Sequence, residues 1–213
     1  PEAPPLAIDA LIAHRAQELA RYQHQTYADR YRALLAPLAA APEKLRRAAA
    51  ENLFRVMAYK DEYEVARLHL ETADELGEPE ALSFHMAPPL ITRTDPATGR
   101  RRKIAIPGRI ALPVFRLLAR MKGLRGRALD PFGWQHDRRI ERQMITDYAD
   151  DLALIAATLN RGALDTALLL AQNPANVRGF GPVKQAAFMA AQAKRQALRT
   201  QLQSGPAVPR AAA

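Results

Sequence analysis

LAIDALIAHRAQELARYQHQTYADRYRALLAPL, residues 6–38, repeats its apolar and aromatic side chains Leu11, Ile12, Leu19, Tyr22, Tyr27, Tyr31, Leu34 and Leu35 at helical spacing. Side chains so spaced lie on one face of a 3.6-residue helix, so the stretch predicts a long amphipathic helix, or two in series. Asp9 is the expected N-cap and Pro37 the expected stop or kink. Pro42 then opens a second helix from Glu43 towards Tyr59, buried through Leu45, Leu53, Phe54, Val56 and Met57. Nothing in composition breaks that helix before Leu70, so it is expected to run on through Asp61.

The pattern changes between Gly77 and Gly108. Leu82, Phe84 and Met86 alternate with Ser83, His85 and Ala87, a strand period that Pro88 and Pro89 end. Leu90–Thr94 and Arg102–Ile106 are two further extended runs around Asp95-Pro96-Ala97-Thr98-Gly99, a set of turn formers. A small β-hairpin over about 82–106 is expected, its tip and return strand carrying Arg100, Arg101, Arg102 and Lys103.

Helical spacing resumes over Ile110–Met121, with Leu112, Phe115, Leu118 and Ala119 as the apolar face and Arg109, Arg116 and Arg120 as the wet one. Gly123 and Gly126 end it, and Asp130-Pro131-Phe132-Gly133-Trp134 reads as a turn. Further helices are expected over Asp137–Leu159, Leu164–Gln172 and Pro182 to about Leu202, the last entered from the Gly179-Phe180-Gly181 turn. The expected fold is mainly α: a single helical domain, 1–203, with a small inserted β-hairpin, and a flexible tail at 204–213.

Composition agrees. Of 213 residues, 48% are hydrophobic and 25% charged, near the averages of soluble globular chains. Cysteine is absent, which excludes disulfides, thiolate nucleophiles and cysteine-held clusters or zinc within this chain. No run approaches the roughly 18 uncharged apolar residues of a membrane span, and the first residues lack signal-peptide character. A reducing, cytoplasmic setting fits. The opening without methionine and the Pro/Ala-rich ends suggest a domain cut from something longer.

The formal charge of +9 is unevenly placed. Residues 1–92 carry a net −4, residues 93–142 a net +10 and residues 143–213 a net +3. Such a local basic field can dock a phosphate-bearing ligand, an acidic protein or nucleic acid. A stand-alone nucleic-acid module would suit the isoelectric point of about 10.2, but the basic segment lacks aromatic interleaving and any recognisable binding motif.

Few residues suggest chemistry. His14, His24 and His69 have no partner at metal-ligand spacing. His85 is set apart by lying on the polar face of the expected strand just before Ala87-Pro88-Pro89. Lys60-Asp61-Glu62-Tyr63-Glu64-Val65-Ala66-Arg67 packs five charges into two helical turns; Lys60 with Glu64 and Glu64 with Arg67 stand at pairing distance, the stabilising ladder of an ordinary helix. Lys60, Asp61 and Glu62 are also interface or site candidates, together with His85 and Arg178. Lys184, in the first turn after Gly181-Pro182, is a candidate for holding an anion at a helix N-terminus. No catalytic triad order, dinucleotide fingerprint, phosphate loop or HExxH is present.

Seven segments in order resemble the C-terminal region of fused indolepyruvate ferredoxin oxidoreductases. They are Tyr22-Gln23 with Tyr27-Ala28 and Arg30-Tyr31; Asn52-Leu53-Phe54 with Met57 through Leu68; Phe84 through Leu90; Asp95 through Arg100; Phe115 through Gly126; Leu129 through Gly133; and Arg178 through Lys184. The resemblance implies a parent enzyme that converts an aryl pyruvate and CoA to an arylacetyl-CoA and CO2 while reducing ferredoxin, using thiamine diphosphate with Mg2+ and 4Fe-4S clusters. It implies no catalytic residue and no cofactor in this chain, which lacks both cysteines and an acidic–asparagine diphosphate motif. The implied role is accessory: packing on the core domains of a parent expected to be a homo-oligomer. Arg100, Arg101, Arg102, Lys103 and Lys184 are then candidate contacts to an acidic neighbouring domain, ferredoxin or CoA. Neither a membrane nor a nucleic acid is an expected partner.

Overall fold

A computed structural model describes residues 6–76, 82–86, 103–179 and 181–204. The described residues form eight α-helices and one two-stranded antiparallel sheet, the mainly α fold with a small hairpin. Contacts divide the chain into two compact units, Pro1–Tyr59 with His136–Ala213, and Lys60–Gln135. The sequence predicts one helical domain. The physical reason for the division is that residues 60–135 bury a small core of their own.

The first unit contains α1 (Ile8–Tyr22), α2 (Gln25–Leu35), α3 (Glu43–Met57), α6 (His136–Thr158), α7 (Leu164–Gln172) and α8 (Pro182–Ser204). The opening stretch thus makes two helices. His24 breaks it because its Nδ1 accepts from the Tyr27 amide at 3.2 Å, an N-cap for α2. Asp9 is not a cap: Ala7 precedes α1, and Asp9, inside the first turn, accepts from Arg46 at 2.6 Å. Pro37 lies in a 3-10 turn, Ala36–Leu38.

Three tyrosines of the opening stretch reach across to α3. Tyr31 donates to the Ala50 carbonyl at 3.1 Å, Tyr27 to that of Met57 at 3.0 Å and Tyr22 to that of Tyr59 at 3.0 Å. The Tyr27 bond satisfies a carbonyl that the end of α3 leaves without an intrahelical partner, and the Tyr22 bond ties down the chain just past that end. From α6, Tyr148 donates to the Ala171 carbonyl at 2.7 Å. Burial raises the pKa of Tyr31 and Tyr148, so both remain neutral donors. Leu19, Leu45, Leu53, Met57, Leu152, Ile155 and Leu170 complete the dry centre. Charge ties α6 to α8: Asp151, almost fully buried, accepts from Arg195 at 2.8 Å and 3.0 Å and from Arg199 at 2.5 Å.

The second unit contains α4 (Glu62–Leu76), β1 (Ser83–Met86), β2 (Ile104–Pro107), α5 (Gly108–Arg120) and the loop that follows. The expectation of one helix running through Asp61 is corrected here. Ala58 leaves helical geometry, with φ −101° and ψ 50°, and a fresh helix starts after Asp61. Phe84 pairs with Ile106 and His85 with Ala105, so the outer runs of the expected hairpin form its ladder. The runs at Leu90–Thr94 and Asp95–Gly99, and Arg100, Arg101 and Arg102, lie outside the described residues.

Ala66, Ala73, Phe84, Ala111, Leu112 and Phe115 form the core of this unit. His69 stacks on Phe115 at 5.3 Å and meets Phe84 edge-on at 5.3 Å. Burial lowers its pKa below the ordinary 6.5. The unfolded chain therefore takes up the proton first on acidification. Stability from this residue is complete above about pH 6.5 and is lost as pH falls towards the lowered folded value. A fall in Tm between pH 7 and pH 5 that is smaller in His69→Phe than in the parent is expected; an identical pH slope in both would contradict it.

Candidate functional site

The most concentrated set of polar side chains is built where α4 starts. Asp61 Oδ1 accepts from the Glu64 amide at 2.8 Å, the N-cap bond that an aspartate three residues before a glutamate can supply. The same carboxylate takes two bonds from Arg125, one from Nη2 to Oδ1 at 2.9 Å and one from Nε to Oδ2. Both side chains are 3% exposed. Arg125 is delivered by a 3-10 turn, Met121–Leu124, that follows α5.

Tyr63 lies under this pair, with the Arg125 guanidinium carbon 5.6 Å from its ring centre. Its hydroxyl donates to Asp130 Oδ1 at 2.9 Å. Burial, then this hydrogen bond, raises its pKa, keeping it a donor. Asp130 also accepts from the Gly126 amide at 2.8 Å and the Phe132 amide at 3.1 Å. A Cβ at Gly133 would come 3.1 Å from Asp130 Oδ2, so a larger residue there would have to push this carboxylate aside by a few tenths of an ångström. Phe132 closes the assembly edge-on against Tyr63 at 5.4 Å.

A second layer lies along α4. Glu64 accepts from Arg67 at 2.6 Å and 2.9 Å, and Arg67 reaches Glu71 at 2.5 Å. The hydrogen bonds to Glu64 raise the Arg67 pKa despite burial. Lys122 is shifted the other way, first by burial and then by the charges of Arg125 and Arg67. Each anion in this group has a cation or hydrogen-bond donor assigned to it. The arrangement clamps α4 to the loop after α5. Among the described residues no group of three or more His, Cys, Asp or Glu is placed to hold a metal ion.

The structure distributes the remaining candidates. Lys60 is exposed and precedes the helix start at Glu62, so its helical spacing to Glu64 does not apply, whereas the expected Glu64–Arg67 pair forms. Glu62 accepts from Gln135 at 3.3 Å. His85 is exposed on β1, and Lys103 is exposed just before β2. In the other unit, Lys184 Nζ bonds the buried Glu141, which also binds Arg138, so its charge is already matched. Arg178, exposed, donates to the Ala175 carbonyl at 3.0 Å.

Sequence reasoning missed the outer face of α5. Ile110, Val114 and Leu117 are 55%, 49% and 59% exposed, and Pro113 is exposed between them. At 100° per residue these four form one stripe, with Arg109, Arg116 and Arg120 in a row along one edge. All three arginines are exposed. No acidic residue occurs from Lys103 to Leu129. The available signal was the run Ile110-Ala111-Leu112-Pro113-Val114-Phe115, too apolar for a helix buried on one side only.

Among the described residues no helix is long and apolar enough to cross a membrane. No curated protein and no solved structure matches the sequence. A family model described as a family of unknown function, DUF6537, matches residues 8–197.

Proposed function

The chain belongs to the DUF6537 family, and from that footing we propose that it is the C-terminal accessory domain of an indolepyruvate ferredoxin oxidoreductase, supplying a docking face rather than a reacting group. The observation that supports this reading is the α5 stripe. Three large apolar side chains about half exposed on one helix face mark an interaction surface. Burying the exposed half of each against a partner is worth about 0.7–1.5 kcal/mol. The arginine row beside them calls for acidic groups opposite, which would orient the partner and speed its approach.

The occupant proposed is an acidic face of the core domains of the same enzyme, in the cytoplasm and within a homo-oligomer. Thiamine diphosphate with Mg2+, the 4Fe-4S clusters and the CoA site belong to those domains. This chain has no cysteine to ligate a cluster; its buried Asp61, Glu64 and Asp151 are paired with arginines, Glu141 with Arg138 and Lys184, and Asp130 takes Tyr63 and two backbone amides. Ferredoxin and CoA remain the other anionic partners that the basic segment, including Arg100, Arg101, Arg102 and Lys103, would suit.

The test is assembly of the two parts as separate polypeptides. Ile110→Glu with Leu117→Glu is expected to weaken association at least about a hundredfold, since two buried apolar contacts are lost and two acids meet an acidic face. The variant's own Tm should stay within a few degrees of the parent's, because both positions are exposed. Arg109, Arg116 and Arg120 changed to Gln should slow association and flatten its salt dependence. Unchanged binding in both variants rejects the proposed surface; intact assembly with a raised ferredoxin or CoA KM assigns the face to that partner instead.

A further inference from the structure

A groove of about 370 Å³ lies between α3, α7 and α8 of the first unit, lined by the polar Glu51, Asn52, Arg55, Gln172 and Lys194 and by the apolar Leu169. Its charged side chains are uncommitted. On α3, Glu43 and Arg47 stand four residues apart and are joined at 3.0 Å. Glu51 and Arg55 repeat that order and spacing two turns later, the favourable orientation for a helix pair, yet neither makes a hydrogen bond or ion pair in the described structure, and nor does Lys194. Asn52, 6% exposed, donates to the Ala48 carbonyl at 2.9 Å, while its Oδ1 is buried with no hydrogen-bond partner. Buried acceptors are rarely left so.

The donor set defines the ligand. Arg55 and Lys194 supply two cations, suited to a carboxylate. Glu51 and the Asn52 Oδ1 are acceptors, suited to an ammonium group. Leu169, 45% exposed, offers an apolar wall. We infer that this groove binds a small zwitterion of the α-amino acid class with an apolar side chain, its carboxylate towards Arg55 and Lys194 and its ammonium towards Glu51 and Asn52. The volume admits a molecule of that size. This inference is independent of the docking role assigned to α5.

Isothermal titration of the full chain with L-leucine, L-phenylalanine, 4-methylpentanoate and isoamylamine tests it. Binding of at least one amino acid at a Kd of about 1 mM or tighter is expected, with the acid and the amine each at least about tenfold weaker, since each lacks one charge-assisted contact. Arg55→Gln and Glu51→Gln, both at exposed positions, should each weaken the amino acid about tenfold, the first abolishing the preference for it over the amine and the second its preference over the acid. No binding by either amino acid up to about ten times that concentration, equal binding of all four compounds, or affinities untouched by both substitutions would overturn the assignment.

Discussion

Asp61→Ala is expected to destabilise the second unit by about 3–5 kcal/mol, the range for removing one partner of a buried ion pair. Arg125 would keep its charge at 3% side-chain exposure with no carboxylate to bind, and the Glu64 amide would lose its cap. The capping loss alone is about 1 kcal/mol; the stranded guanidinium supplies the rest. Arg125→Met in the same background should recover part of the loss, because two neutral groups replace one unpaired charge. Urea unfolding, followed by far-UV circular dichroism, measures both. A loss below about 1 kcal/mol for Asp61→Ala would show that water reaches Arg125 and that the clamp is weak.

Two leucines separate the core from the docking face by a single measurement. Leu53 on α3 is 0% exposed and Leu117 on α5 is 59% exposed. Leu53→Ala is expected to cost about 2–5 kcal/mol, the transfer energy of the deleted methyl groups plus the cavity left behind. Leu117→Ala should change stability by no more than about 0.5 kcal/mol, as surface substitutions do, while still weakening the association proposed for α5. Equal destabilisation by the two would mean that Leu117 is already covered within the chain, and the stripe would cease to be a docking surface. No change for Leu53→Ala would place the first unit's centre elsewhere.

Periodicity made most helices readable because their buried sides repeat every three or four residues: Leu164–Gln172 coincides with α7, and the start of α8 at Pro182 follows from proline's fixed φ. The break after Met57 was hidden because no glycine or proline marks it. Its cause is capping chemistry, and Asp61 followed by Glu64 is a pattern that also suits a helix interior. The same ambiguity made Lys60-Asp61-Glu62 a visible cluster without showing that Asp61 answers Arg125, 64 residues away. Such a pairing is a property of the tertiary fold, and no local spacing encodes it. The α5 stripe was obscured for another reason: a helix apolar on two sides looks, in one dimension, like a helix with a generous core face. Lys184 was read from its position at a helix start, but Glu141, on a different helix, decides its state.

The second unit interrupts the first between α3 and α6, and this imposes an order on biosynthesis. A ribosome delivers the whole of residues 60–135 before it delivers α6, α7 or α8, so α1 to α3 must wait with Leu53 and Met57 open while the interruption completes its own small core. Domains fold as units, earlier ones first, during translation. The middle unit can therefore complete its core before the first unit receives α6, α7 and α8.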